Sequence, residues 1–298
     1  MKRQTLLITG ATGFIGQHLV KKLQTPALQK KYKILCLTRK PIDAPFVLGS
    51  LEDQRTLLHA TRNVDCVVHL ASVTQSSHKH LNYVTNVVGT HHLLEACREN
   101  NVKRFIYGGT VNADLARRGI YGESKRLAET LVKESGLDYL ILKFNMVYGI
   151  GDNNLSKTFR LVKKLPFVPV IGSGCGKMQP VFVDDVVDVI LASLQKKKLP
   201  HRVYNIAGPS IFTFNEYIDM ILDHLHIRRM KLHLPSFLFR ILVHLTGRTF
   251  EKTITLEIVN SIGQDKHVDI SATKRDLDFE PREFKKTLTL LRDRHPFP

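Results

Sequence analysis

The stretch TLLITGATGFIG, residues 5–16, joins a short apolar run to a cluster of three glycines. The run TLLIT ends at Gly10, as a buried strand does, and helical periodicity follows at once through Ile15, Leu19 and Leu23. A strand, a glycine turn and a helix in immediate succession form the repeating unit of a parallel sheet. The stretch therefore predicts an α/β fold.

The same alternation of apolar strands and amphipathic helices continues along the chain. Strand patterns recur at 31–38, 46–48, 65–71, 102–109, 138–144 and 202–208, and helical patterns lie between them, for example at 53–60, 82–100 and 121–135. Strands that are apolar throughout indicate a parallel sheet covered on both faces, and right-handed crossovers make that sheet doubly wound. We assign residues 1–150, with 179–207 returning, to this α/β domain.

The remaining residues, 151–178 and 208–298, lack the alternation and are mainly helical by pattern. We expect them to form a smaller substrate-binding domain over the carboxyl ends of the strands, where open α/β sheets bind ligands. Asp184 and Asp185 are expected to cap the helix that follows them.

The three glycines of the opening stretch are spaced three and three. Gly10 permits a tight turn, Gly13 lets a pyrophosphate approach the backbone, and Gly16 lets the helix pack closely on the strand. The helix N-terminus then offers free N–H groups and positive potential to phosphates. Because the motif lies between the first strand and the first helix, it predicts a dinucleotide site.

Tyr-x-x-x-Lys, a pattern suited to proton transfer, occurs twice in the chain. Tyr139 and Lys143 fall on a predicted strand, where four residues span about 13 Å, so the ammonium is too far away to act on the phenol. Tyr121 and Lys125 fall on the first turn of a helix, with their β-carbons about 6 Å apart. Only the second pair can work together, and Tyr139 is predicted to belong to the core.

Composition excludes several classes of function. With 44 basic and 27 acidic residues the net charge is +17, which attracts anions. The basic clusters are not interleaved with aromatic residues, so nucleic-acid binding is not expected. The histidines and cysteines lack metal-ligand spacing, so no metal site is predicted. The four cysteines are predicted to be buried free thiols in a reducing compartment, and the expected location is cytoplasmic.

The longest apolar run in the C-terminal half, LPSFLFRILVHL at 234–245, is about half a membrane span. A buried helix is the favoured interpretation, and contact with a membrane surface is the less favoured alternative. The N-terminus is interpreted as a strand rather than a signal peptide. A homodimer is the expected assembly, if there is one.

The motifs together resemble a known superfamily. T-G-x-x-G-x-x-G at 9–16, HLAS at 69–72, NVVGTHHLLEA at 86–96 and the Tyr-x-x-x-Lys helix are similar, in this order, to the short-chain dehydrogenase/reductases. The extended type, the NAD-dependent epimerase/dehydratase branch, fits residues 4–206 best. The resemblance implies a Rossmann-type fold and a nicotinamide cofactor. The implied cofactor-binding residues are Gly10, Thr12, Gly13, Phe14, Ile15, Gly16, Leu70, Ala71, Ser72, Tyr121 and Lys125.

The resemblance also implies a catalytic trio of Thr110, Tyr121 and Lys125. Tyr121 would exchange a proton with a carbonyl or alcohol oxygen, Thr110 would hydrogen-bond the same oxygen, and Lys125 would lower the phenol pKa and hold the ribose. We therefore expect an oxidoreductase or epimerase acting on a secondary alcohol or ketone.

The cofactor preference is predicted from the end of the second strand, about twenty residues past the glycines. An acidic residue there selects NAD, whereas an arginine accommodates the 2′-phosphate of NADP. The chain reads LCLTRKPID, with Arg39 and Lys40 in place and no acid before Asp43. We predict NADP, with NAD as the alternative.

Other features bear on the substrate. Only eleven positions separate Thr110 from Tyr121, and Met146 in FNMVYG stands where nucleotide-sugar enzymes tend to have asparagine. The apolar C-terminal helices likewise hint at a less polar substrate. The segment 165–190 is similar to an atypical branch that contains the nucleotide-binding accessory subunit of respiratory complex I. A non-catalytic, cofactor-holding structural or assembly subunit is thus the main alternative, and a redox-sensing regulator is a more distant one.

Overall fold

The computed structural model describes residues 3–74, 78–196, 198–235, 237 and 264–294. The strands in these ranges are β1 (Gln4–Thr9), β2 (Tyr32–Thr38), β3 (Phe46–Leu48), β4 (Cys66–His69), β5 (Arg104–Thr110), β6 (Tyr139–Phe144), β7 (Val147–Tyr148), β8 (Phe167–Ile171), β9 (Lys177–Met178), β10 (Val181–Phe182), β11 (Val203–Ile206), β12 (Phe212–Thr213) and β13 (Met230–Leu234). The helices are α1 (Phe14–Leu23), α2 (Pro26–Gln29), α3 (Gln54–Ala60), α4 (Lys79–Tyr83), α5 (Gly89–Glu99), α6 (Ile120–Glu134), α7 (Asn153–Lys164), α8 (Val183–Gln195), α9 (Phe214–Leu225), α10 (Ser271–Leu277) and α11 (Phe284–Arg294). A π-helical turn, Val84–Val88, joins α4 to α5, and a 3₁₀ turn, Val111–Asp114, follows β5.

Seven strands form one parallel sheet in the order β11-β6-β5-β4-β1-β2-β3. The order reverses between β1 and β4, so the crevice outside their carboxyl ends is the topological switch point of the sheet. The predicted doubly wound, Rossmann-type fold is confirmed, including the late return of β11 beside β6.

The sheet is covered on both faces, which explains why its strands are apolar throughout. Leu6 and Ile8 of β1 belong to one core cluster, together with Leu19 of α1, whereas Leu7 belongs to a second cluster with Leu93 of α5. Alternate side chains of one strand thus fill two separate cores.

A third core packs Phe159, Tyr217 and Phe284, from the predicted smaller domain, with Tyr148, from the predicted large one. Besides α7, α9 and α11, its described part contains the pairs β7–β10, β8–β13 and β9–β12. These six strands are two to five residues long and were not predicted from the sequence. The division of the chain into two domains itself stays a prediction.

The C-terminal part of the chain contacts both domains. Ile270, Leu277 and Phe279, around α10, belong to the same core as β1 and α1, although 208–298 was assigned to the smaller domain. The Tyr204 hydroxyl on β11 donates to a carboxylate oxygen of Asp276 at 3.1 Å. Residues 268–279 therefore complete the large core, and α11 returns to the small one.

Two other expectations concern cysteines and membrane contact. Cys36, Cys66 and Cys97 are buried and free, as predicted, but Cys175 is exposed, because it lies in the glycine-rich turn between β8 and β9. Of the apolar run 234–245, only residues 234, 235 and 237 are among the described residues. Among the helices that the structure describes, none has the length and hydropathy needed to cross a bilayer.

Candidate active site

The glycine turn after β1 requires glycine at two of its three glycine positions. Gly10 has φ +75°, and a β-carbon there would lie 2.5 Å from the Ala71 nitrogen. A β-carbon at Gly16 would overlap the Gly10 carbonyl oxygen. At Gly13 the backbone suits any residue, with φ −77°, and a β-carbon would approach only the Gly10 oxygen, at 3.1 Å. Gly10 and Gly16 therefore build the turn, while Gly13 leaves open space in front of it.

The first turn of α1 faces that open space. Gly13 is its N-cap, no side chain caps it, and it contains no acidic residue. The nearby Gln17 amide donates to the Thr12 carbonyl at 2.7 Å and so closes the turn on itself. Uncapped N–H groups beside a glycine surface fit the pyrophosphate of a dinucleotide.

A buried hydrogen-bond chain fixes the adjacent segment after β4. The Thr90 hydroxyl donates to the Asn86 carbonyl at 2.7 Å, so it accepts from His69 Nε2–H at 2.9 Å. His69 Nδ1 then accepts from the Thr9 hydroxyl at 2.6 Å, and Thr9 Oγ1 accepts from Ala71 N–H at 3.3 Å. Burial lowers the pKa of His69 to about 3, which keeps the ring neutral. The chain holds Ala71 against the glycine turn.

The predicted trio lies at the next strand end. Thr110 ends β5 and is buried, and its hydroxyl oxygen accepts from Asn112 N–H at 3.2 Å. Tyr121 and Lys125 lie one turn apart at the start of α6. A β-carbon at Gly122 would lie 2.8 Å from the Asn112 carbonyl oxygen, so this first turn rests on the turn that follows Thr110.

Lys125 is a buried lysine, only 3% exposed, in an unusual environment. Its Nζ lies 4.0 Å from the centre of the Tyr107 ring. Burial lowers the pKa of Lys125 to about 7, although the nearby Glu129 acts in the opposite direction. Near neutral pH this amine can therefore gain or lose a proton readily.

Asn86 joins these parts and was not predicted. Its Oδ1 accepts from Val73 N–H at 2.8 Å and from the Ser72 hydroxyl at 3.1 Å, and its Nδ2 donates to Val73 O at 3.0 Å and to Ser124 Oγ at 2.9 Å. Ser124 in turn donates to the Tyr121 carbonyl at 2.8 Å. A single buried amide thus ties the segment after β4 to the Tyr–Lys helix. The available signal was an asparagine within an apolar helical pattern.

The comparisons with known proteins agree with this geometry. The family model described as "NAD dependent epimerase/dehydratase family" matches residues 6–207. The chain belongs to this family. It is therefore an enzyme of the short-chain dehydrogenase/reductase type, and its family is NAD-dependent.

Three similar proteins illustrate the range of the NAD-dependent epimerase/dehydratase family. The UDP-glucose 4-epimerase of Vibrio cholerae is 26% identical, over 95% of this chain and 94% of that protein. NADH dehydrogenase [ubiquinone] 1 alpha subcomplex subunit 9, mitochondrial, of Dictyostelium discoideum is 26% identical, over 72% of this chain and 62% of that protein. The structure of UDP-glucuronic acid 4-epimerase from Bacillus cereus, solved with UDP-glucuronic acid and NAD, has a TM-score of 0.75 and 21% identity, covering 97% and 98% of the two chains.

In this epimerase/dehydratase fold the second Tyr-x-x-x-Lys pair lies on β6, as predicted. Lys143 Nζ lies 2.8 Å from a carboxylate oxygen of Asp114 and 3.0 Å from one of Glu129. Tyr139 is half-buried against the second core, with Arg202 over its ring. Lys143 is therefore an ion-pairing residue that links β6 to α6 and to the turn after Thr110.

The residues predicted to read the cofactor ribose lie at the end of β2. The Thr38 hydroxyl donates to the Lys40 carbonyl at 2.8 Å, which folds the chain back directly after the strand. Arg39 and Lys40 are exposed, and neither forms an ion pair within the ranges that the structure describes. Both side chains are available to a ligand.

Lys266 and Asn145 were missed and lie over the carboxyl end of β6. Lys266 N–H donates to Lys177 O at 2.9 Å, and the Asn145 amide donates to Lys266 O at 2.5 Å. Burial lowers the pKa of Lys266 to about 8, and its ammonium has no ion-pair partner among the described residues. Asn145 follows the strand directly and precedes Met146, and the role of Met146 in substrate choice stays a prediction.

Asp184 and Asp185 lie in the first turn of α8 but do not cap it, contrary to the prediction. An Asp184 carboxylate oxygen lies 3.2 Å from His18 Nδ1, and Asp185 accepts from Arg282 N–H at 2.8 Å. His18 Nε2 also bonds the Ile150 carbonyl at 2.9 Å. These partners were invisible in the sequence, since they come from positions more than 90 residues away.

Proposed function

We propose that the protein transfers hydride between NADP(H) and a secondary alcohol or ketone of a sugar nucleotide, as an oxidoreductase or epimerase. The observation that carries the proposal is the packing of the Tyr121–Lys125 turn of α6 against the turn that follows Thr110. This arrangement lies at the same edge of the sheet as the glycine turn. A dinucleotide held by one would reach the other across the switch point.

The cofactor would be held by the residues around the glycine turn. The backbone of Gly10, Thr12, Gly13, Phe14, Ile15 and Gly16 would hold the pyrophosphate, and Leu70, Ala71 and Ser72 would line the path towards the trio. Lys125 would hold the nicotinamide ribose. When bound, the nicotinamide cofactor supplies or accepts the hydride.

The chain's own residues would move the proton. Tyr121 would donate its phenol proton to a carbonyl oxygen, or take one from an alcohol, and a protonated Lys125 would favour the phenolate form. Because the Thr110 oxygen accepts from Asn112 N–H, the Thr110 hydroxyl hydrogen stays available to the same substrate oxygen. Tyr121 and Thr110 would thus converge on one reacting oxygen, and Lys125 would act on it through the phenol of Tyr121.

A sugar nucleotide is favoured by charge and by relatedness. Lys266 provides an ammonium without an ion-pair partner in the described part of the chain, which suits a diphosphate. The similarity to a UDP-glucose 4-epimerase extends over nearly the whole chain. The short interval between Thr110 and Tyr121 and the apolar C-terminal segments favoured a less polar substrate, so both classes belong in the test.

The test is to incubate the purified protein, with NADP⁺ or NAD⁺, with UDP-glucose, UDP-galactose, UDP-glucuronic acid and a set of apolar secondary alcohols. Nuclear magnetic resonance of the products would follow epimerisation, and absorbance would follow formation of reduced cofactor. We expect conversion of at least one UDP-sugar. Turnover of the apolar alcohols alone would show that the substrate class is wrong.

The similarity to a complex I subunit supports a second candidate function, that of a non-catalytic subunit that holds a cofactor. A cofactor-holding subunit would bind dinucleotide, convert none of these substrates, and copurify with a large membrane complex in stoichiometric amounts. That combination of results would replace the catalytic proposal.

We expect NADPH to bind more tightly than NADH, and Arg39→Ala to remove most of the difference. Arg39 can present two parallel N–H donors to the 2′-phosphate, and Lys40 adds a second positive charge. Charge-assisted contacts of this kind are worth about 1.5–3 kcal/mol, or roughly ten- to a hundredfold in affinity. Calorimetric titrations of both cofactors at low and moderate salt, with the wild-type protein and Arg39→Ala, would measure the difference in affinity.

Lys30→Ala is the matched control, since it removes one exposed cation elsewhere on the large domain. It should leave the ratio of the two affinities unchanged. Equal affinities of the wild-type protein for NADPH and NADH would refute the NADP assignment and favour NAD.

A further inference from the structure

The parallel strands β8 and β13 form a two-stranded sheet with two different faces. In the register Lys231 pairs with Val168, and this side faces inward, because Val168 is buried and Lys231 bonds Asp219 of α9 at 2.7 Å. The alternate side chains therefore face outward. They are Phe167, Pro169, Ile171, Met230, Leu232 and Leu234, and all six are apolar.

The outer face is most exposed at the start of the two strands. Met230 is 82% exposed, Leu232 44% and Phe167 39%. Met230 and Phe167 are directly opposite each other in the register, so the exposed side chains form one patch. Isolated exposed apolar residues are ordinary, but a contiguous patch of this kind marks an interaction site.

Positive charge gathers at the same end of the sheet. Because β8 and β13 are parallel, the residues that precede both strands lie together, and Arg229 Nε donates to the Leu165 carbonyl at 2.9 Å. Lys163 and Lys164 end α7 before β8, and Arg228 is exposed before β13. Neither residues 153–183 nor residues 224–250 contain an aspartate or glutamate. The apolar patch thus adjoins four cations.

We infer that this corner of the smaller domain docks on an anionic lipid bilayer. The basic–apolar corner consists of Lys163, Lys164, Phe167, Arg228, Arg229, Met230 and Leu232. A bilayer with anionic headgroups matches both of its parts, since the cations meet the headgroups while the Met230 and Phe167 side chains enter the apolar boundary. This contact is independent of the hydride-transfer chemistry proposed above.

The length of the patch favours a bilayer over a folded protein partner. Only the first residues of each strand are strongly exposed, and the face becomes half-buried or buried by Leu234 and Ile171. A stable protein interface needs about 800 Å² on each side, which is much larger than these few side chains. Insertion at a bilayer surface needs only a few apolar side chains backed by cations.

The experiment measures sedimentation of the full chain with vesicles of phosphatidylcholine alone or mixed with phosphatidylserine. We expect binding only to the mixed vesicles, weakening as salt rises. Lys164→Gln with Arg228→Gln should lower the partition coefficient about twenty-fivefold, since each basic residue at an anionic surface contributes roughly fivefold. Met230→Ser should lower it about tenfold, through loss of buried apolar area.

Matched controls separate this corner from the general positive charge. Lys30→Gln with Lys31→Gln removes the same charge from the large domain, and Leu48→Ser removes an exposed apolar side chain from β3. Both should leave partitioning within about twofold. Unchanged dinucleotide affinity in every variant would show that each is folded.

Three results would overturn the inference. One is a wild-type protein that sediments with neither vesicle. Another is equal loss of binding in the control and corner variants, which would indicate charge alone. The third is that a soluble acidic protein binds to the basic–apolar corner and anionic vesicles do not displace it.

Discussion

Tyr121→Phe is expected to lower turnover by about 10²- to 10⁴-fold while changing cofactor affinity by no more than about twofold. The substitution deletes the hydroxyl that we propose to exchange a proton with the substrate, and it leaves the ring volume almost unchanged. The bond that the Ser124 hydroxyl donates to the Tyr121 carbonyl, at 2.8 Å, would be kept at the start of α6. Steady-state kinetics on the substrate found in the UDP-sugar panel, with calorimetry for the cofactor, would measure both quantities.

Tyr139→Phe is the control for this prediction. It makes the same chemical change in the other Tyr-x-x-x-Lys pair, on β6, where Lys143 is engaged with Asp114 and Glu129. Its turnover should stay near that of the wild-type protein. Similar losses in the two variants would mean that the phenol of Tyr121 has no special role and that the helix is only a structural element.

Gly13→Val is expected to abolish measurable dinucleotide binding while the protein remains folded. A β-carbon at this position would approach only the Gly10 oxygen, at 3.1 Å, and the backbone already has the φ of an ordinary residue. The branched side chain would fill the space that we assign to the pyrophosphate. Calorimetry with NADPH, alongside thermal unfolding, would report binding and folding separately.

Gly16→Ala provides the contrast. Its β-carbon would overlap the Gly10 carbonyl oxygen and lie 2.9 Å from the Ala11 α-carbon, so it should destabilise the protein itself. If Gly13→Val binds NADPH as the wild type does, the glycine turn is not the phosphate site. If Gly16→Ala unfolds at the wild-type temperature, the close packing of α1 on the turn is wrong.

The parts of the fold that follow local patterns could be predicted from the sequence. The alternation of strands and helices predicted the parallel sheet and even the return of β11 beside β6. Helical spacing distinguished Tyr121 and Lys125 from the pair on β6. In each instance the spacing of apolar residues can be read within about ten consecutive residues, because one or both faces of the element are buried.

The features that were missed depend on partners distant in the chain. Asn86 looks ordinary until the fold brings Val73 and Ser124 to its amide. Asp184 and Asp185 resembled caps because first-turn acids are usually caps, and their partners His18 and Arg282 are not adjacent in the sequence. Lys266 shows the same limit, since nothing in its neighbours in the sequence indicates that partial burial lowers its pKa to about 8.

The packing of α10 has a consequence for synthesis of the chain on the ribosome. Ile270, Leu277 and Phe279 complete the core that begins at β1, and the Thr273 hydroxyl donates to the Asn205 carbonyl of β11 at 2.7 Å. The nascent sheet therefore has an open apolar flank until residues 270–279 have left the ribosome. During that interval the unfinished sheet avoids aggregation only if chaperones cover it or synthesis is fast, because exposed apolar surface promotes aggregation. Truncations that remove residues 270–279 should thus lower the yield of soluble protein.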